Sequence, residues 1–171
     1  MTRGDKRFSV TFIDEFSRYI RLHVLRNKDA TRDAFVKYKN EVEIQLSKKI
    51  EKLRTDRGEY ESNPFNSFYE DRRIIYETTP LYFPNSNGVA KMKNKTLKDM
   101  MNAMVVSLGA LLNLWVEVIL STCHIWNGIY HKKTGKTTYE LWKGYAPNIA
   151  YLQVWGYLAK ILLPKPKKWE N

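Results

Sequence analysis

Cysteine is almost missing from this sequence: Cys123 is the single one in 171 residues. That excludes an internal disulfide framework and a cysteine-rich zinc site, and it points to a reducing compartment, nucleus or cytoplasm. Long apolar runs are missing too. The most apolar stretch, Val105 to Leu120, is short and contains Asn113 and Glu117. A membrane span needs about 20 apolar residues with few charges. This stretch is therefore expected to be a core helix, and no membrane partner is expected. The segment from Met1 to Arg7 has no apolar core of the kind a signal peptide carries. Acidic residues are in deficit, with 18 Asp+Glu against 29 Lys+Arg and a net charge of +11. Such an excess favours polyanionic partners, of which nucleic acid is the commonest.

What is present suits a folded domain. Hydrophobic residues make up 43% and aromatics 13%, enough to bury a core in a chain of this length. Phe8, Val10 and Phe12 alternate with polar residues, as do Ile20, Leu22 and Val24. Two such period-2 runs around Asp14 to Arg18 predict an antiparallel hairpin, with Asp14 in its turn. Ala30, Ala34, Phe35, Tyr38, Val42 and Leu46 follow at helical spacing. Ile50 to Thr55 reads as a short strand ending at Asp56. Asn63-Pro64 opens a short helix with Phe65, Phe68 and Tyr69. Ile74 to Tyr76 is a candidate strand, and Thr78 to Asn87 a loop.

A helix is expected from Gly88 to Ser107, with Leu97, Met100, Met101, Met104, Val105 and Leu108 as its apolar stripe. Its first half is basic, carrying Lys91, Lys93, Lys95 and Lys98. Leu114 to Tyr130 predicts a further helix, Lys132 to Lys136 a basic turn, Thr138 to Trp142 a short helix, and Leu152 to Leu163 a strand. Trp115, Trp126, Trp142 and Trp155 are expected in the core or in a subunit interface. This order implies an α/β fold, a mixed sheet covered by helices. In such sheets ligand and catalytic groups gather at the carboxyl ends of the strands, where Asp56 stands.

Four stretches, taken together and in order, resemble the integrase catalytic core of Copia-type retrotransposons. They are Val10 to Tyr19 (VTFIDEFSRY), Leu53 to Tyr60 (LRTDRGEY), Asn87 to Thr96 (NGVAKMKNKT) and Thr134 to Trp142 (TGKTTYELW). The resemblance implies a ribonuclease H-like fold, a DNA partner, pairing into homo-oligomers, and integration by two-metal strand transfer with Mg²⁺ or Mn²⁺. Residues 1–145 correspond to the core-like domain and 146–171 to an extension after it.

Two-metal chemistry needs hard carboxylate oxygens around both ions. By the resemblance Asp56 is the second of three family carboxylates and a weak, incomplete metal site on its own. The family's leading strand, which bears the first carboxylate, corresponds to residues ahead of Met1. The sheet is accordingly expected to lack its leading central strand and to show a gap there. The third carboxylate falls on Lys91: the family pattern Asn-Gly-Val-Ala-Glu reads Asn87-Gly-Val-Ala-Lys91 here. Asp56 and Lys91 enclose 34 residues, one fewer than the family spacing, and a glycine missing beside Asp56 accounts for it. An ammonium has no lone pair for a metal. Like charges 4 Å apart repel by about 4 kcal/mol at an effective dielectric near 20.

The expectation is therefore a catalytically inactive core that keeps nucleic-acid binding. Lys91, Lys95 and Lys98 fall at i, i+4 and i+7 on one helix face, with Asn94 in the same stretch. Lysines set against phosphates give affinity without sequence specificity. No zinc is expected, because His23, His124 and His131 are scattered and the His/Cys module of complete integrases is not in the sequence. Two other readings stay open: a protein-interaction module using Leu114 to Ile129, and a relic of a decayed element.

Overall fold

The computed structural model describes residues 5–55, 68–78, 88–108 and 112–153. The first alternating runs form β1 (Phe8–Ile13) and β2 (Ile20–Leu25), paired antiparallel with Phe8 opposite Leu25 and Ile13 opposite Ile20. Their turn is built as expected. The Asp14 carboxylate accepts from the Ser17 amide at 2.6 Å and the Ser17 hydroxyl at 2.7 Å, and Arg18 takes a left-handed φ of 61°. Asp14 is thus fully engaged in holding a turn.

Alternation then sorts the sheet's two faces. Phe12 and Leu25 point to helix α1 (Thr31–Leu46), which buries Ala34, Phe35, Tyr38 and Val42. Phe12 stacks on Tyr38 with ring centroids 4.5 Å apart. A 3₁₀ turn at Lys28–Ala30 leads into α1, capped by the Asn27 side chain accepting from the Ala30 amide. At the other end Ser47 adopts φ 51°. Glu43 accepts from Lys39 at 2.6 Å and from the Ile50 amide at 3.0 Å, which fixes the return of the chain. That bond holds Ile50 outside the ladder, so the next strand, β3 (Lys52–Thr55), starts two residues later than the sequence suggests.

A helical stretch over 68–71 supplies Phe68 and Tyr69 to the α1 core. Phe65, expected in the same helix, lies outside the described residues. Ile74 is buried, with its amide bonded to the Tyr69 carbonyl, so β4 (Ile75–Thr78) begins one residue late. β3 and β4 run parallel, with Leu53 opposite Tyr76.

On the sheet's other face Ile20 and Leu22 meet Leu97 of α2 (Gly88–Leu108) and Cys123 of α3 (Trp115–Asn127). The helix expected to reach Tyr130 stops at Asn127. Gly128 bonds back to Ile125, and Tyr130 pairs with Thr137 in the small hairpin β5 (Tyr130–His131) and β6 (Lys136–Thr137). Lys132 to Lys136 is the turn of that hairpin, with Gly135 at φ 63°. Thr137 and Glu140 then form a reciprocal capping box that starts α4 (Thr138–Lys143).

One side chain ties these parts together. Asn127, buried at the end of α3, accepts from the Ile20 amide at 3.0 Å and donates to the Ile20 carbonyl at 2.8 Å. It thereby occupies the backbone groups of Ile20 as a neighbouring strand would. Thr138 completes the cluster, donating to the Asn127 backbone carbonyl and side-chain oxygen, both at 3.2 Å.

The fold is the expected α/β type, a mixed set of strands between helices. Among the described residues β1–β2 and β3–β4 are separate two-stranded sheets, and a groove of about 820 Å³ lies between β1 and β3. The four tryptophans divide. Trp142 is buried and stacks on Tyr19 at 5.1 Å, Trp126 packs against the second core, Trp115 is half-buried, and Trp155 lies outside the described residues. Leu152 and Gln153 are not strand, and the rest of the strand expected to Leu163 lies outside the described residues.

Candidate nucleic-acid interface

The helix α2 carries four lysines in its first half and one acid, Asp99, along its length. Helical geometry separates the lysines. Lys91, Lys95 and Lys98 are exposed on one side. Lys93, two residues from Lys91 and so on the opposite side, is 8% exposed. Its ammonium sits 4.4 Å from the centre of the Trp126 ring on α3, a cation–π contact. Burial, helped by the nearby Arg18, lowers its pKa. Lys93 therefore joins two helices, and the basic half of α2 is a three-lysine face plus one internal clamp. A charge count along the helix does not reveal this division; the i+2 offset from Lys91 does.

Asn94 accepts from the Thr11 hydroxyl at 2.7 Å. This exposed bond ties the start of α2 to β1 and fixes the azimuth at which the lysines face outward. Val89 and Ala90 line the groove between β1 and β3, together with Arg54 near the carboxyl end of β3. The structure thus brings the end of β3 and the start of α2 to one groove. Asp56, expected just past the end of β3, lies outside the described residues.

Two of the groove's three carboxylates, Asp14 and Glu15, have polar or charged partners, and the third is Glu51. Asp14 holds its turn. Glu15 stands 3.7 Å from Arg54, which also reaches Glu77 at 3.2 Å. Lys52 meets Glu77 at 2.8 Å, and the hydrogen bonds from Lys52 and then Arg54 lower the Glu77 pKa. Among the described residues no group of three His, Cys, Asp or Glu side chains converges to hold a metal ion. The helix α2 contributes Val89 and Ala90 to the groove, neither of which carries a side-chain oxygen. The residues described here do not fit a two-metal site.

The histidines sit apart. His23 is on β2, edge-on to Phe12 at 5.6 Å, with its pKa lowered by burial. His124 is on α3, 2.8 Å from the Tyr151 hydroxyl, and His131 is exposed on β5. The helix expected as an interaction surface is used largely inside the domain. α3 buries Val118, Thr122, Cys123 and Asn127 and leaves Leu120 exposed, as is Ile129 just past its end. Two further basic features lie outside the α2 face, one of them the basic turn expected at Lys132 to Lys136. Arg18 lines the groove, and Lys132, Lys133 and Lys136 are exposed on the β5–β6 hairpin. Of the two, Arg18 was not singled out from sequence; its left-handed turn position becomes visible once β1 and β2 are paired. No helix of the described residues is long and apolar enough to cross a membrane.

No protein-family model matches the chain. Against curated proteins, 170 residues, 96% of the chain, are 28% identical to the retrovirus-related Pol polyprotein from transposon TNT 1-94 of Nicotiana tabacum. The Pol polyproteins from transposons RE2 and RE1 of Arabidopsis thaliana are 30% identical over 94 residues and 26% identical over 99, which is 55% and 58% of the chain. The chain spans 13%, 6% and 7% of the lengths of these three relatives. Among solved structures, the HTLV-2 integrase catalytic core domain in complex with magnesium, in its trimeric form, superposes with a TM-score of 0.60 at 18% identity. That match covers 77% of this chain and 82% of the other. A chain of the simian T-cell lymphotropic virus intasome in complex with the PP2A regulatory subunit B56 gamma gives 0.66 at 17% identity, covering 95% and 54%. The fold is therefore that of an integrase catalytic core, and the sequence is similar to retrotransposon Pol polyproteins, to one of them along nearly its whole length.

Proposed function

We propose that this integrase-core-like domain is of the Copia type, that it binds DNA through its phosphates without reading sequence, and that it does not carry out strand transfer. The observation that carries the reading is the exposed lysine face of α2. Lys91, Lys95 and Lys98 stand on one side of the helix, held at a fixed azimuth by Asn94 on β1 and Lys93 on Trp126, beside the groove where β3 ends. Point charges on a preset face suit a polyanion of regular charge spacing. The net charge of +11 adds a long-range attraction that speeds encounter.

Inactivity follows from the same helix. In the HTLV-2 structure the core holds magnesium. Divalent ions of this kind neutralise developing charge in phosphoryl transfer. Here Lys91 stands where the family pattern has its Glu and repels a cation. The nucleus or cytoplasm remains the proposed location and homo-oligomers the proposed assembly. The test is binding of the full chain to two DNA duplexes of unrelated sequence, read by fluorescence anisotropy across a salt series. Equal affinities that fall steeply with salt support the reading. A preference of more than about tenfold for one sequence, or affinity indifferent to salt, refutes it.

A further inference from the structure

We propose that the tip of the β1–β2 hairpin is a stacking site for an unpaired base of a single-stranded polynucleotide, with Phe16 supplying the ring and Arg18 the charge for the neighbouring phosphate. The inference rests on the nucleic-acid reading and narrows it, because it names a strand form that the lysine face of α2 does not select.

The tip joins an exposed ring to a fixed backbone. Phe16 is 84% exposed, whereas Phe12, Phe35 and Phe68 are buried. A single exposed apolar side chain is ordinary on a surface; what sets this one apart is its mount. Two bonds run from Ser17 to the Asp14 carboxylate. The Asp14 amide donates to the Tyr19 carbonyl and the Arg18 amide to the Asp14 carbonyl, both at 3.0 Å. The Tyr19 amide donates to the Ser17 hydroxyl at 3.2 Å. Five bonds therefore hold the chain from Asp14 to Tyr19, and Ser17, next to the ring, is 2% exposed. A ring carried on so constrained a turn gives up little freedom when a ligand covers it.

The surroundings decide what the ring fits. Arg18 lines one groove with Val89 and Ala90, so the tip lies beside the start of α2. Among the described residues the Arg18 guanidinium has no hydrogen-bond or ion-pair partner. The nearest acids in sequence are engaged elsewhere: Asp14 inside the turn, and Glu15 with Arg54 at 3.7 Å. Arg18 also stands close enough to Lys93 to lower its pKa, second only to burial. Two cations thus share this corner, and Lys91 follows directly on Ala90. Positive charge beside an exposed ring is the combination with which proteins hold single strands, the cations following phosphates and the bases stacking on rings whatever their sequence. In a duplex each base face is covered by its neighbours, so a ring on an exposed turn has nothing to cover; an unpaired base offers a face. The core of a protein interface is depleted of charge, which suits this ring and its cations less well.

The experiment uses the full 171-residue chain and fluorescein-labelled probes of one length, read by anisotropy. They are a DNA strand that cannot pair with itself, an RNA strand of the same sequence, the DNA duplex, and an abasic DNA strand that keeps the phosphates and lacks the bases. Phe16→Ala is expected to weaken binding of the DNA strand at least about fivefold, the low end for one stacked base, and to leave the duplex and the abasic strand within about twofold. Phe16→Trp keeps the wild-type affinity. The melting temperature of Phe16→Ala is unchanged, because the ring is exposed, so a loss of binding is not a loss of fold. Arg18→Asn, which suits the left-handed φ, lowers the salt slope on the DNA strand by about 0.7, whereas Phe16→Ala leaves the slope as it is. The RNA strand is expected to show the same Phe16→Ala loss, since neither group reads the 2′-hydroxyl; a loss with one of the two strands alone supports the site and assigns it to that sugar. An equal loss on the duplex or on the abasic strand overturns the proposal, because the ring then acts without a base face. So does unchanged affinity of Phe16→Ala for both single strands. In either case a steep salt dependence on the duplex leaves the α2 reading standing; if no probe binds, both fall.

Discussion

Asn127→Ala tests the packing account at the point where the structure concentrates most of its long-range polar bonding. The wild-type side chain satisfies both backbone groups of Ile20, at 3.0 and 2.8 Å, and receives the Thr138 hydroxyl at 3.2 Å. Ile20 is 1% exposed and Asn127 4%, so water does not replace the lost partners. Leaving a buried donor or acceptor unpaired costs about 1–3 kcal/mol. The Ile20 amide is left with no partner and the Ile20 carbonyl keeps only the weak Cys123 thiol donor at 3.4 Å, which gives about 2–4 kcal/mol in all, with Thr138 keeping its second bond to the Asn127 backbone carbonyl. For a domain of this size each kcal/mol shifts the melting temperature by about 2–4 °C, so the expected loss is about 5–15 °C. Urea denaturation followed by tryptophan fluorescence measures the free energy, and circular dichroism the melting temperature. Thr138→Val provides the control and is expected to cost about 1 kcal/mol or less, since it removes one weak donor and leaves Ile20 paired. A loss below about 1 kcal/mol for Asn127→Ala refutes the view that this amide substitutes for a strand at β2.

Lys93→Met removes a cation–π contact while keeping the stem, and is expected to lower stability by about 0.5–2 kcal/mol with no change in the salt dependence of DNA binding; a changed salt slope would place Lys93 at the phosphates instead. Purified protein is expected to show no Mg²⁺- or Mn²⁺-dependent strand transfer or end cleavage, and Lys91→Glu alone is not expected to restore it; metal-dependent cleavage abolished by Asp56→Asn contradicts that. Cys123 is 6% exposed, with burial pushing its thiol up to about 11. At pH 8 its labelling by a thiol reagent is expected to be at least about a hundredfold slower than in urea, because both thiolate fraction and access fall. The unfolded thiol ionises near pH 8.5, so the unfolded state holds fewer protons between there and about pH 11. Stability is therefore lost as pH rises through that window, and Cys123→Ser is expected to flatten the loss.

Most of the scaffold is legible in the sequence because its signals are local. Period-2 alternation marks β1 and β2, the i, i+4 pattern of Ala34, Phe35, Tyr38 and Val42 marks the buried side of α1, and Asp14 with Ser17 marks the turn. What escapes is fixed by bonds between residues far apart. Ile50 reads as strand, but Glu43 takes its amide. Ile74 reads as strand, but Tyr69 holds it back. The end of α3 is set by Asn127 engaging Ile20, 107 residues away, and nothing in the run from Leu114 to Tyr130 announces that. The candidate interface divides in the same way. Spacing alone places Lys91, Lys95 and Lys98 on one side, whereas the burial of Lys93 depends on Trp126 lying opposite, which requires knowing that α2 and α3 are neighbours. The groove beside β1 is lined by Phe35 and Tyr38 of α1 and by Val89 and Ala90 of α2, a grouping that becomes evident with the packing.

The measurement that bears most directly on the α2 lysine face is the salt dependence of DNA affinity for the wild-type chain and for the triple variant Lys91→Ala, Lys95→Ala, Lys98→Ala. Each phosphate contact contributes about 0.9 to the slope of log affinity against log salt. Three contacts therefore give a slope of about 2.7, and a roughly 40-fold loss between 50 and 200 mM salt. The account predicts that the triple variant binds more weakly on every sequence by about the same factor, with the slope shallower by about 2–3 and the melting temperature unchanged, since all three side chains are exposed. An unchanged slope and affinity in a variant that still folds would contradict it.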